Sequence, residues 1–153
     1  MTANQLLEAL RIGADRAGVF KDVKINSKGV LQCAAQGSSE PAWYRVDKVS
    51  DTWRVSLVTA DRWLSESIEA DLVHYGDPIE ELIEEELDEL GYKGKSPVVK
   101  HYRSDDMLYT FISEIPMDES KSAKALETAT QWLLGYEAAF RQLGDMSSAG
   151  GDE

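Results

Sequence analysis

The chain has 153 residues, 42% of them hydrophobic, with 28 acidic against 16 basic side chains and a net charge of −12. That length and apolar fraction predict one globular domain with a single core. The acidic balance argues against the phosphate-neutralising surface of a nucleic-acid binder and against attraction to anionic membranes.

Thr2 is placed to cap a first helix whose stripe is Leu6, Leu7, Leu10, Ala14 and Ala17, stopped by Gly18. Val19 to Ile25 and Val30 to Cys33 flank the turn Asn26-Ser27-Lys28-Gly29 and predict a hairpin. A polar loop, Gln36 to Pro41, leads to a strand from Ala42 to Val49. Ser50-Asp51 then turns the chain into Thr52 to Thr59, where Trp53, Val55 and Leu57 alternate with Arg54 and Ser56 as in a strand with one buried face. Thr59 or Asp61 can cap the next helix, on which Leu64, Ile68 and Leu72 form a stripe widened by Trp63, Ala70 and Val73, ending near Gly76.

Asp77-Pro78 restarts the chain as a second helix, with Asp77 expected as cap and Ile79, Leu82, Ile83, Leu87 and Leu90 as its buried side, stopped by Gly91. Its remaining surface is acid throughout. Lys93 to Pro97 reads as a loop, and Val98–Arg103 and Met107–Ile115 as a second hairpin around Ser104-Asp105-Asp106. Asp118 or Ser120 should start a long final helix with Ala123, Leu126, Ala129, Leu133, Tyr136, Phe140 and Leu143 on its stripe, stopped by Gly144.

The order α-β-β-β-β-α-α-β-β-α predicts an α+β fold with one mostly antiparallel sheet and helices chiefly on one face. Residues 1–144 form the domain, and 145–153, rich in Gly, Ser and acid, read as a disordered acidic tail. No apolar run approaches membrane-span length, and the N-terminal stretch MTANQLLEALRIGADRAG has no secretory-signal pattern. The one cysteine, Cys33, has no internal disulfide partner and lies on an apolar strand. A cytoplasmic location is the expectation.

Chemistry finds little foothold. His74 and His101 each stand alone in their elements apart from acids such as Glu69 or Asp71, so no metal site is expected, and the acidic helix lacks a calcium-hand loop. No Gly-x-Ser-x-Gly, no Cys/His signature and no Gly-rich phosphate loop occurs, so no catalytic residue and no cofactor is assigned. The aromatics Trp43, Trp53, Trp63, Trp132, Tyr44, Tyr102 and Tyr109 are read chiefly as core.

Three surfaces remain as candidates. The strand from Met107 is apolar on both faces, Met107, Tyr109 and Phe111 on one and Leu108 and Ile112 on the other, which fits a strand covered on both sides or a partner or dimer interface. The acids Glu80, Glu81, Glu84, Glu85 and Asp88 form either a solvated helix face or a docking face for a basic partner. Trp63, His74, His101 and Tyr102 could build a small-ligand pocket between sheet and helices. Arg45, Lys48 and Arg54 on adjacent strands, and Lys93, Lys95, Lys100 and Arg103 about the second hairpin, suggest a local basic patch able to complement the acidic helix of a second copy.

The element order, small size and low pI together resemble the type III secretion chaperones and the related YbjN-like family, over the chain to about Gly144. The segment VTADRWLSESIEADLVHYGD also looks like a group of proteins of cyanobacteria and plastids. The first resemblance implies a homodimer that binds a segment of a partner protein along apolar sheet or helix surfaces, and it transfers no catalytic residues. A non-enzymatic, chaperone-like protein-binding adaptor is thus the leading expectation. A small-ligand binder or an enzyme with an unrecognised pocket, and a regulator acting through the acidic helix, are the alternatives.

Overall fold

A computed structural model describes residues 1–75, 78–105 and 107–146. The periodicities resolve into α1 (Ala3–Ala17), β1 (Phe20–Ile25), β2 (Leu31–Ala35), β3 (Trp43–Val49), β4 (Thr52–Thr59), α2 (Arg62–Tyr75), α3 (Ile79–Glu89), β5 (Lys100–Arg103), β6 (Tyr109–Glu114) and α4 (Ser122–Phe140). The fold is α+β: one six-stranded antiparallel sheet in the order β1-β2-β3-β4-β6-β5.

Local chemistry sets most boundaries. Thr2 and Gln5 form a capping box on α1, and Gly18 closes the helix at φ 72°. The Asn26 carboxamide accepts from the amides of Lys28 and Val30, which fixes the first hairpin turn. Ser50 and Asp51 both take positive φ, the primed turn that a two-residue hairpin requires. Asp61, with Thr59 bracing it, caps α2 through the Leu64 amide.

The residue pairs Tyr44↔Leu57, Val46↔Val55 and Leu57↔Phe111 put these side chains on one face of the sheet, together with Leu31, Cys33, Trp53 and Ile115. That face joins a continuous core with the helices, whose centre is α4: Trp132, Leu133, Tyr136 and Phe140 are at most 1% exposed. The other face carries Gln32, Arg45, Asp47, Arg54, Lys100, Tyr102, Ile112 and Glu114. At its middle Val58 is buried, yet it stands outside the core cluster that the helices build.

The termini of two helices differ from the sequence reading. Asp77 lies outside the described residues, and Pro78 occupies the N-cap of α3 with no side-chain cap. The start of α4 falls later than Asp118 or Ser120, because Asp118 spends its carboxylate on the Ser120 amide and hydroxyl in a local turn; the helix begins at Ser122. Ala123 is exposed, while Ala125, Thr128 and Trp132 are buried, since a helix packed between α1, α3 and the sheet hides more than one stripe. At the other end the packed unit extends past Gly144. Met146 is 2% exposed, and Asp145 is tied by its amide to Ser67 and by its carbonyl to the Ser39 amide.

Candidate functional site

The sheet's second face ends in a groove. β5 pairs with β6 only from Tyr109 to Ile112, so the outer edge of β6 beyond Ile112 has no strand beside it. Across that gap runs the loop of residues 92–99, and between loop and strand lies a cavity of about 600 Å³. Ile112, Ser113, Glu114, Ile115 and Pro116 form one side, Ser96, Val98 and Lys95 the other, and Trp132 of α4 closes it from the helix layer. Lys100, Tyr102 and Arg54 line the end toward the open sheet face.

The loop is a fixed wall. Glu80 accepts from the Val99 amide at 3.2 Å, Glu84 from the Ser96 hydroxyl at 2.7 Å, and the Ser113 hydroxyl donates to the Val98 carbonyl at 2.8 Å. The Tyr92 hydroxyl bonds the Lys95 carbonyl, and a side chain at Gly94 would collide with the Tyr92 ring, so a tight curl is available only to glycine there. The Trp132 indole N–H finds no partner in hydrogen-bonding geometry. Burial raises the Tyr92 phenol, with the nearby Trp132 N–H and the Lys95 carbonyl bond tempering the rise; the two rings meet edge to face at 5.6 Å.

The groove's lining gathers cations that a chain so acidic carries sparsely elsewhere. Arg54, Lys95 and Lys100 stand against one lining carboxylate, Glu114, in a chain of net charge −12. Arg54 is held by Asp47 through two hydrogen bonds, which raise its pKa and fix its position. Lys95 and Lys100 are exposed and have no carboxylate within ion-pair distance among the described residues.

Of the pocket residues read from the sequence, Tyr102 alone lines this groove. His101 projects to the opposite face of the same strand, stacked on Phe111 at 3.8 Å and 10°. Its Nε2 is 3.4 Å from the Ser65 hydroxyl and its Nδ1 is 3.7 Å from Glu69. Serine, imidazole and carboxylate stand in the order of a nucleophilic relay, but Ser65 is 1% exposed, so its hydroxyl meets protein instead of a substrate. The trio ties α2 to β5. Trp63 is exposed on α2 and His74 near the end of the same helix, and neither lines the groove.

The candidate interface residues divide as well. β6 is an interior strand: Phe111 is 2% exposed and belongs to the core, Leu108, Tyr109 and Ile112 are half-buried, and Met107 alone is open, on the hairpin turn. Its core-facing side is thus covered within one chain, while Ile112 stands half-buried on the face that no described helix covers. The acidic residues of α3 differ in what they touch. Glu80 and Glu84 hold the groove's wall, whereas the carboxylates of Glu81, Glu85 and Asp88 are exposed and make no hydrogen bond or ion pair among the described residues. The groove has no sequence signal, because it arises where β5 stops opposite Ile112, and strand lengths have to be compared across a pair before that mismatch exists.

No group of ligating side chains suited to a metal ion occurs among the described residues, and no described helix is long and apolar enough to cross a membrane. Comparison with protein-family models, curated proteins and solved structures returns no match.

Proposed function

We propose that the protein is a non-enzymatic adaptor that holds a segment of a partner protein. The observation that carries the reading is the groove of about 600 Å³ at the open sheet face, where exposed Lys95, Lys100 and Tyr102 stand beside Ile112 and Val98. A groove that sets apolar side chains beside exposed lysines can seat an extended segment, with the side-chain contacts supplying selectivity. The resemblance of the element order to secretion chaperones points the same way. Assembly as a homodimer belongs to that resemblance, and the exposed apolar side chains available for it include Trp63, Val73, Val98 and Met107.

The volume also falls in the range of small-molecule sites, which favours a small-ligand binder as the second reading. Site-specific photo-crosslinking separates the two. A photoreactive phenylalanine analogue replaces Tyr102 in one sample and Lys21, on the far edge strand, in another. The adaptor reading expects a saturable protein adduct from position 102, absent from position 21 and lost on Lys95→Glu/Lys100→Glu. A groove that yields no protein adduct, while a small-molecule screen raises the melting temperature, replaces it with the second reading.

A further inference from the structure

We infer that the groove is also a binding site for a small molecule, a monocarboxylate with an apolar body, its head at Lys95 and Lys100 and its body against Val98, Ile112 and Pro116. The inference goes beyond the adaptor reading and stands without it. Where both hold, ligand and segment exclude each other, and the groove is open to control by a small molecule. Three observations select this ligand.

The first is a valine held in water. Val98 is 67% exposed, while Pro97 before it is buried and Val99 after it packs half-buried against the core. An apolar side chain gains by turning inward. The bonds on either side hold this one out: the Ser96 hydroxyl donates to Glu84, the Ser113 hydroxyl to the Val98 carbonyl, and the Val99 amide to Glu80. They keep an apolar wall standing across the groove from Ile112 and Pro116, and its surface leaves water when an apolar body enters.

The second is charge. Lys95, Lys100 and Arg54 face Glu114 in the lining, and Asp47 holds Arg54 through Nε and Nη2. The two carboxylates balance two of the three cations and leave one positive charge over, which suits a monoanion. A phosphate ester carries roughly two negative charges, and its second would stand beside Glu114 without a cation of its own. The side of the Arg54 fork that would clamp a phosphate in bidentate fashion is spent on Asp47.

The third is size and rigidity. A volume of about 600 Å³ lies within the range of sites that enclose a small ligand, roughly 300–1,000 Å³. The three bonds around Val98, the Tyr92 hydroxyl on the Lys95 carbonyl, and Trp132 at 1% exposure are all in place in the free chain. Binding therefore orders little beyond the two lysine side chains.

The test is a titration of the isotopically labelled full chain with phenylbutyrate, followed by amide chemical shifts. The expected result is a saturable shift centred on Ser96, Val98, Lys100, Ile112, Ser113 and Glu114, with Kd of about 1 mM or below. Phenylbutanol, which lacks the charge, and butyrate, which lacks the body, should each bind several-fold more weakly, and phenylbutylamine weakest of all. Lys95→Gln/Lys100→Gln and Val98→Ser should each weaken phenylbutyrate by about fivefold or more. Lys21→Gln, on the far edge strand, should leave it unchanged, and a dispersed spectrum checks that each variant folds. Equal affinity for the amine, no saturable shift at millimolar ligand, or shifts that survive both groove variants overturn the inference. Ligand-free shifts of the same amides with protein concentration would give the groove to a second copy and overturn it too. So would a blocked valine–glutamate peptide binding about tenfold tighter than the free acid, which would give the groove to the partner segment alone. Absence of the protein adduct at position 102 removes the adaptor reading and leaves this inference standing, since the titration needs no partner.

Discussion

The two faces of the sheet are made from the same strands and do opposite work. On the helix side, Leu31, Cys33, Tyr44, Val46, Val55 and Leu57 are at most 1% exposed, and apolar area removed from water holds the layers together. On the other side the strands carry their own ties across the ladder, Arg45 to Gln32 and Arg54 to Asp47, and no helix arrives to cover them. Such exposed pairs contribute little to stability, at most about 1 kcal/mol. Stability resides on the first face, which leaves the second free to present charge and a groove.

Paired truncations break or sharpen that contrast most directly. Phe140 is fully buried against Phe111 and Tyr136, with ring centroids at 5.1 and 5.4 Å. Phe140→Ala should cost about 3–5 kcal/mol in urea unfolding. Tyr102→Ala, on the open face and 44% exposed, should change stability by less than about 0.5 kcal/mol. Comparable losses from the two would mean that the open face is covered by something the single chain lacks.

A smaller effect is expected where the helix layer closes on itself. Gly144 has φ 49°, its amide bonds Asp71, and a Cβ there would lie 2.6 Å from the carbonyl carbon and hydroxyl of Ser67. Backbone cannot yield as a side-chain tip can, so Gly144→Ala should cost about 1–3 kcal/mol by the same measurement. A neutral result would show that α2 is not fastened to the end of α4.

How much of this was legible in the sequence follows from range. The strand Thr52–Thr59 matches its predicted ends because alternation, a turn and a cap are local features that agree. The start of α4 was misplaced because two residues, Asp118 and Ser120, carry capping chemistry and satisfy each other. For the site, the basic residues were visible as a set, and Arg54, Lys95 and Lys100 do converge. Their separation from Lys48, which pairs with Glu119 at 2.6 Å, depends on which face each strand position takes. Glu80 and Glu84 looked like members of a uniform acidic surface. Only the return of the 92–99 loop over α3 makes them structural.

The buried acid on α4 is the exception within the helix-covered face. Glu137 is 6% exposed, and burial raises its pKa, with Arg141 opposing and Glu86 adding to the rise. A carboxyl whose folded-state pKa is raised binds its proton more tightly folded than unfolded, so ionisation destabilises the protein above that pKa. Glu137→Gln should therefore stabilise the protein at pH 7, on the order of 1 kcal/mol, and the gain should vanish as the pH falls below the ordinary carboxylate range. Urea midpoints of both proteins at pH 7 and pH 4 decide it; a destabilised variant at pH 7 would mean that the Arg141 pair at 3.4 Å outweighs desolvation.

The smallest effect lies where the two faces meet, at His101 on edge strand β5. Its ring is packed on Phe111 and faces Ser65 and Glu69 of α2. Burial lowers its pKa below the ordinary 6.5 and outweighs the pull of Glu69 in the other direction. A base with a lowered folded-state pKa leaves the unfolded chain holding more protons, so stability is greatest above 6.5 and declines as pH falls from there through the folded value. His101→Gln keeps the size and removes the titration. The difference in unfolding midpoint between wild type and variant should thus shift against wild type on going from pH 8 to pH 5.5. A shift in its favour would mean that the imidazolium–Glu69 attraction outweighs desolvation, and that β5 is held to α2 by charge as well as by packing on Phe111.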